Sequence, residues 1–112
     1  MSPLDIAIRH TPAGPVVAVT GELDYDTATD LRDILDTLPL DPGQRLVLDL
    51  AHMEFCDSSG ISALIAARNH ARSAAADIAL AAVPANTLRV LRVIGLDQVF
   101  PIHPDAASAT GA

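Results

Sequence analysis

The chain of 112 residues is long enough for one hydrophobic core and too short for two, and half of its residues are hydrophobic, which excludes a disordered chain. Fourteen acidic against seven basic residues leave a formal charge of −7, and the basic residues form no cluster along the chain, so nucleic acid is not an expected partner and a basic protein surface is. All seven basic residues are arginine, and the absence of lysine removes a Walker A site, Schiff-base catalysis and the lysine of phospho-aspartate receivers.

Aromatic residues make up only 3% and Trp is absent, so the core must be built from Leu, Ile, Val and Ala, which suits helices packed on a sheet. Met1-Ser2-Pro3-Leu4-Asp5 has no charged segment followed by an apolar one, and no apolar run approaches membrane-spanning length. A soluble, cytoplasmic protein without membrane insertion is expected. The one cysteine, Cys56, has no partner for an internal disulfide and reads as a buried small hydrophobe.

Alternation in Leu4-Asp5-Ile6-Ala7-Ile8-Arg9 predicts a half-buried strand, and Thr11-Pro12-Ala13-Gly14-Pro15 predicts the turn into a second strand, Val16 to Thr20. Gly21 to Asp26 is too polar to continue that strand. A first helix is predicted from Thr27, with Thr27 and Asp30 as a capping box and Ala28, Leu31, Ile34, Leu35 and Leu38 on its apolar face. Asp41-Pro42-Gly43 turns the chain into a third strand, Arg45 to Leu50, whose continuous apolar character predicts burial on both faces.

A second helix is predicted over residues 58–73, with Leu64, Ala67, Ala71 and Ala74 on one stripe and Ile61 and Ile65 beside it. Ile78 to Val83 reads as a fourth strand. Pro84 opens a third helix that stops at Gly95 and buries Leu88, Leu91 and Ile94. Val99-Phe100-Pro101-Ile102 supplies a last edge strand. The small, polar remainder from His103 is expected to fray, giving one domain over residues 1–103 and a flexible tail over 104–112. The expected fold is α/β, a mixed sheet of four to five strands in the order β-β-α-β-α-β-α-β.

Most catalytic constellations are missing. The histidines at 10, 52, 70 and 103 show no metal-ligand spacing, so neither a metal nor a cofactor is expected. No Gly-x-Ser-x-Gly elbow surrounds Ser58, and no glycine-rich loop precedes a helix, so a hydrolase or an ATPase is not indicated. What remains is Asp57-Ser58-Ser59-Gly60 after an apolar strand. Residues of these types are what any helix N-terminus prefers. A hydroxyl there is also an accessible acceptor for a phosphoryl group, because the free N–H groups and the helix dipole favour an added anion. Gly21-Glu22-Leu23-Asp24 is a second acidic loop leaving a strand in the same direction, so neighbouring second and third strands would put the two loops together.

Three stretches carry a resemblance: Gly21-Glu22-Leu23-Asp24 with Ala28 and Leu31, then Leu48-Asp49-Leu50 through Phe55-Cys56-Asp57-Ser58-Ser59-Gly60-Ile61, then Leu91-Arg92-Val93-Ile94-Gly95-Leu96-Asp97. From residue 4 to 103 the chain resembles the STAS-domain proteins of the anti-sigma factor antagonist family. The resemblance implies a non-enzymatic regulator that binds an anti-sigma factor serine kinase while unphosphorylated, so that a sigma factor is released. It implies Ser58 as the phosphoacceptor, a PP2C-type phosphatase that reverses the modification, and Asp24 and Asp57 as acids that present the hydroxyl or contact the kinase. Glu22, Ser59, Gly60 and Ile61 complete the expected partner-binding set, with Ser59 a second hydroxyl that spacing alone does not exclude. The alternative is a non-phosphorylated STAS scaffold in a sensory complex or a lipid or anion transport system.

Overall fold

The computed structural model describes residues 4–111. The elements are β1 Leu4–Thr11, β2 Gly14–Leu23, α1 Ala28–Thr37, β3 Arg45–Cys56, α2 Ser58–Ser73, β4 Asp77–Ala81, α3 Ala85–Val93, a 3-10 turn Leu96–Gln98, β5 Ile102–His103 and α4 Ala106–Ala109. The five strands lie side by side in chain order. β1 and β2 form an antiparallel hairpin in which Thr11 pairs with Gly14, and the β2–β3, β3–β4 and β4–β5 pairs are parallel. The hairpin turn needs Gly14: its φ is +143°, and a Cβ there would run into the carbonyl of Arg45.

Strand alternation divides the core into two layers. Val17, Val19, Leu46, Leu48, Leu50, Ile78 and Leu80 face the main cluster, where Leu31 and Leu35 of α1, Leu64, Ala67 and Ala71 of α2 and Leu91 of α3 close over the sheet. Val16, Val47, Ala79 and Ala81 face the opposite way and pack with Ala106 and Ala109 of α4. The run Leu46-Val47-Leu48 is therefore buried on both faces, as its continuous apolar character predicts.

The first difference from expectation is that residues 106–109 do not fray. They form α4, which is capped by Asp105 Oδ1 accepting from Ser108 N at 2.7 Å and is tied to the sheet by Arg45 Nη1 donating to Ala109 O at 2.7 Å. A four-residue helix has no detectable periodicity in sequence, and its two buried alanines carry too little apolar surface to signal a core contact. Ala112, the end of that tail, lies outside the described residues, as do Met1, Ser2 and Pro3.

β2 and β3 are also longer than predicted. β2 continues through Gly21-Glu22-Leu23 because β1 and β3 flank it with backbone partners, and its polar residues Thr20 and Glu22 alternate outward while Leu23 is buried. β3 runs six residues beyond Leu50, past the last β4 partner at Asp49, with two register shifts against β2. Each shift inserts one extra residue in β3, which re-aims the end of the strand. Among the helical residues expected inside, Ile65 and Ile94 are exposed and Leu88 is only half buried.

Candidate functional site

The parallel pairing of β2 and β3 brings Leu23 opposite Cys56, so both chains leave the sheet at the same end. The two acidic loops meet there, as neighbouring strands require. Asp57 joins them. Its N–H donates to Leu23 O at 3.2 Å, its Oδ2 accepts from Tyr25 N at 3.2 Å, and its Oδ1 caps α2 by accepting from Gly60 N at 3.0 Å. Asp57 is the N-cap and Ser58 the first helical residue.

Gly60 is fixed by space. A Cβ on it would lie 2.6 Å from Cys56 Sγ and 2.6 Å from Leu23 O, so only glycine lets α2 start this close to the end of β2. Cys56 is half buried, and burial, reinforced by the negative charge of Asp57, pushes its thiol up to about 11. The sulfur stays protonated near neutral pH and is no nucleophile.

The β2–α1 loop is held by its own side chains. Asp24 Oδ1 accepts from Asp26 N at 3.0 Å, Thr27 N at 3.1 Å and Thr27 Oγ1 at 3.2 Å. Thr27 is buried; its hydroxyl also accepts from Asp24 N at 2.9 Å and donates to Glu22 O at 2.7 Å. Thr27 occupies the N-cap position of α1 but makes no side-chain cap, so the expected Thr27–Asp30 capping box is not formed. Its hydroxyl clamps the loop instead.

Ser58 is exposed and Ser59 half buried, and among the described residues neither hydroxyl has a hydrogen-bond partner. The two face different surfaces. Ser58 lines an open groove of about 480 Å³ between α2 and α3, with Cys56, Asp57, Ile61, Val90 and Ile94, whereas Ser59 lines a smaller cleft of about 230 Å³ between α1 and α2, with Tyr25 and Arg32. Glu22 is exposed beside Phe55, its register partner on β3. Ile61 is 8% exposed, so it contributes an edge rather than a face.

The groove has an apolar rim absent from the sequence expectation. Val90 and Ile94 are 45% and 53% exposed, Val93 beside them stands out further, and exposed Phe55 lines the neighbouring hollow with Cys56 and Val90. Val90, Val93 and Ile94 are spaced i, i+3, i+4, a second apolar stripe on a helix that already buries Leu91; that surplus was the available signal. No group of side chains with metal-ligand potential occurs among the described residues, and no helix among them is long and apolar enough to cross a membrane.

A mixed five-stranded sheet with α1, α2 and α3 over one face and the short α4 against the other, and an Asp-Ser-Ser-Gly helix start at the end of its second parallel strand, is the STAS architecture. The chain belongs to the STAS-domain family: the model described as "Mlab, STAS domain" matches residues 6–102. A STAS-domain containing protein of Pseudomonas aeruginosa is 29% identical over 86 residues, covering 77% of this chain and 84% of the relative. The anti-sigma F factor antagonist of Paenibacillus polymyxa is 26% identical over 107 residues, covering 95% and 92%. A crystal structure of an anti-sigma factor antagonist from Mycobacterium paratuberculosis superposes with a TM-score of 0.79 at 28% identity, covering 95% of this chain and 90% of that one.

Proposed function

We propose that this protein is an anti-sigma factor antagonist of the cytoplasm, a binding protein rather than an enzyme, whose unphosphorylated form binds an anti-sigma factor serine kinase and whose phosphorylation at Ser58 ends that binding. The carrying observation is that Ser58 is an exposed hydroxyl at the first position of a locked helix, on the edge of an open groove with an apolar rim. The relatives named as anti-sigma factor antagonists support the same reading.

In this reading Phe55, Ile61, Val90 and Ile94 give the kinase apolar contact, and Glu22 with the acids of the β2–α1 loop meets a basic lip on it. Asp57 and Asp24 hold the two loops in the geometry that presents Ser58, and Gly60 permits the close approach. Ser59 sits at the edge of the interface on the other side of α2. Phosphate at Ser58 adds about −1.5 to −2 charge. One unit-charge repulsion at about 6 Å and an effective dielectric near 20 is worth roughly 3 kcal/mol before screening, and half of that costs about tenfold in affinity. Within the free protein the α2 N-terminus receives the phosphate favourably, so the fold tolerates what the interface does not. A PP2C-type phosphatase restores the binding form.

A second reading keeps the groove and discards the modification: a scaffold module of a sensory or transport assembly. The exposed apolar rim suits it equally. Incubation with the cognate kinase, ATP and magnesium separates the two. The switch requires one phosphoryl group, located at Ser58 by mass spectrometry and lost in Ser58→Ala but not in Ser59→Ala. Undiminished labelling of Ser58→Ala removes the assignment.

A further inference from the structure

Three of the seven arginines, one on β3 and two on α2, converge at the end of the molecule opposite Ser58. Arg45 opens β3, and Arg68 and Arg72 lie one turn apart near the end of α2; together they line an open cavity of about 470 Å³. At 1.5 Å per residue, Arg72 is about 21 Å along α2 from Ser58. Sequence order hid this cluster.

Asp77, the register partner of Arg45, is the one carboxylate in the lining, so three guanidinium groups against one carboxylate leave two net positive charges in a protein of net charge −7. Arg72 in the last turn of α2 is accounted for by the helix dipole. Arg45 also ties α4 to the sheet, but Arg68 has no such structural role. Among the described residues neither the Arg68 nor the Arg72 side chain has an ion pair or a hydrogen bond, while Arg45 is braced by its contact with Ala109 O. Arg68 and Arg45 are half buried, and Ile78 and Pro101 supply apolar wall. Guanidinium groups held against a low-dielectric wall without carboxylate partners are suited to a multiply charged anion, which two of them can grip in parallel.

We propose that this cavity binds a phosphate-bearing ligand, either a small phosphorylated molecule or the phosphate of a lipid headgroup. Arg68 and Arg72 bind the phosphate oxygens, Arg45 orients it, and Ile78 and Pro101 meet the less polar remainder. The site lies away from the proposed kinase-binding groove and stands or falls separately from it.

The test uses the full chain labelled for amide NMR, titrated with pyrophosphate and, in a parallel arm, mixed with phosphatidylglycerol or phosphatidylcholine vesicles. The small-ligand form of the proposal predicts saturable shifts confined to residues around Arg45, Arg68 and Arg72, with a Kd at or below about 1 mM. The headgroup form predicts cosedimentation with the phosphatidylglycerol vesicles alone. In Arg68→Gln/Arg72→Gln, which keeps two good helix formers at partly exposed positions, either signal weakens at least about tenfold while the melting temperature holds. Ser58→Ala leaves it intact. Absence of both signals, or signals unchanged in the double variant, overturns the proposal.

Discussion

The carboxylate of Asp57 reaches a segment 32 residues away while capping its own helix: Oδ2 accepts from the Tyr25 amide and Oδ1 accepts from the Gly60 amide. One side chain thus caps α2 and fixes the loop after β2. Asp57→Ala is expected to lower stability by about 1–2 kcal/mol, the scale of a lost N-cap. Asp24→Ala, which leaves the Asp26 amide without its acceptor and removes one of two acceptors from the Thr27 amide and hydroxyl, is expected to fall in the same range. Urea unfolding with an unchanged m-value checks both. Neutral results would mean that the acids serve the partner alone.

Gly60→Ala meets the backbone carbonyl of Leu23 as well as the sulfur of Cys56, and the carbonyl cannot rotate away. A loss of about 1–3 kcal/mol is expected from overpacking. Gly60→Ala combined with Cys56→Ala should recover only part of it, since the sulfur clash is removed and the carbonyl clash remains. Full recovery would place all the strain on the thiol.

Removal of residues 104–112 uncovers Val16, Val47, Ala79 and Ala81 and takes away the acceptor of Arg45. The truncated chain should melt at lower temperature and bind a hydrophobic dye more strongly. The α4 cap also predicts a pH effect. Hydrogen bonds from Ser108 hold the Asp105 carboxyl below its ordinary value, so its contribution is present above the unfolded carboxyl's titration and is lost as pH falls through the folded one. Asp105→Asn should remove that acid-side dependence.

Burial raises the Cys56 thiol from 9.0 to about 11, so at pH 8 its thiolate fraction is about a hundredth of an unfolded cysteine's. Alkylation by iodoacetamide in the native state should be slower by about that factor than in urea. The sign for stability follows. The unfolded thiol ionises first, so stability is unaffected below pH 9 and declines as pH rises from about 9 to 11. Cys56→Ala should flatten that decline.

Much of this molecule was legible before its structure. The 58–73 helix matches its predicted limits because an apolar stripe and Asp57 mark its start; the turn that ends it, with Ala75 at positive φ, carries no glycine to announce it. The meeting of the two acidic loops followed from the parallel pairing of β2 and β3. What escaped was nonlocal. Glu22 lies in a strand because its neighbours supply hydrogen bonds, and Thr27 clamps a loop because Glu22 O is within reach. Ile94 is the C-cap of α3, past its last helical residue, and is exposed although helical periodicity places it on the same face as buried Thr87 and Leu91. The arginines at 45, 68 and 72 look scattered until β3 and α2 place them at one end.

The affinity of the cognate anti-sigma kinase for the unmodified protein and for the Ser58-phosphorylated protein, measured by calorimetry on samples whose melting temperatures are also recorded, tests the central claim most directly. A phosphorylation switch at Ser58 requires at least about tenfold weaker binding after phosphorylation, with the melting temperature retained. Equal affinity of the two forms, with Ser58 confirmed as modified, would contradict it.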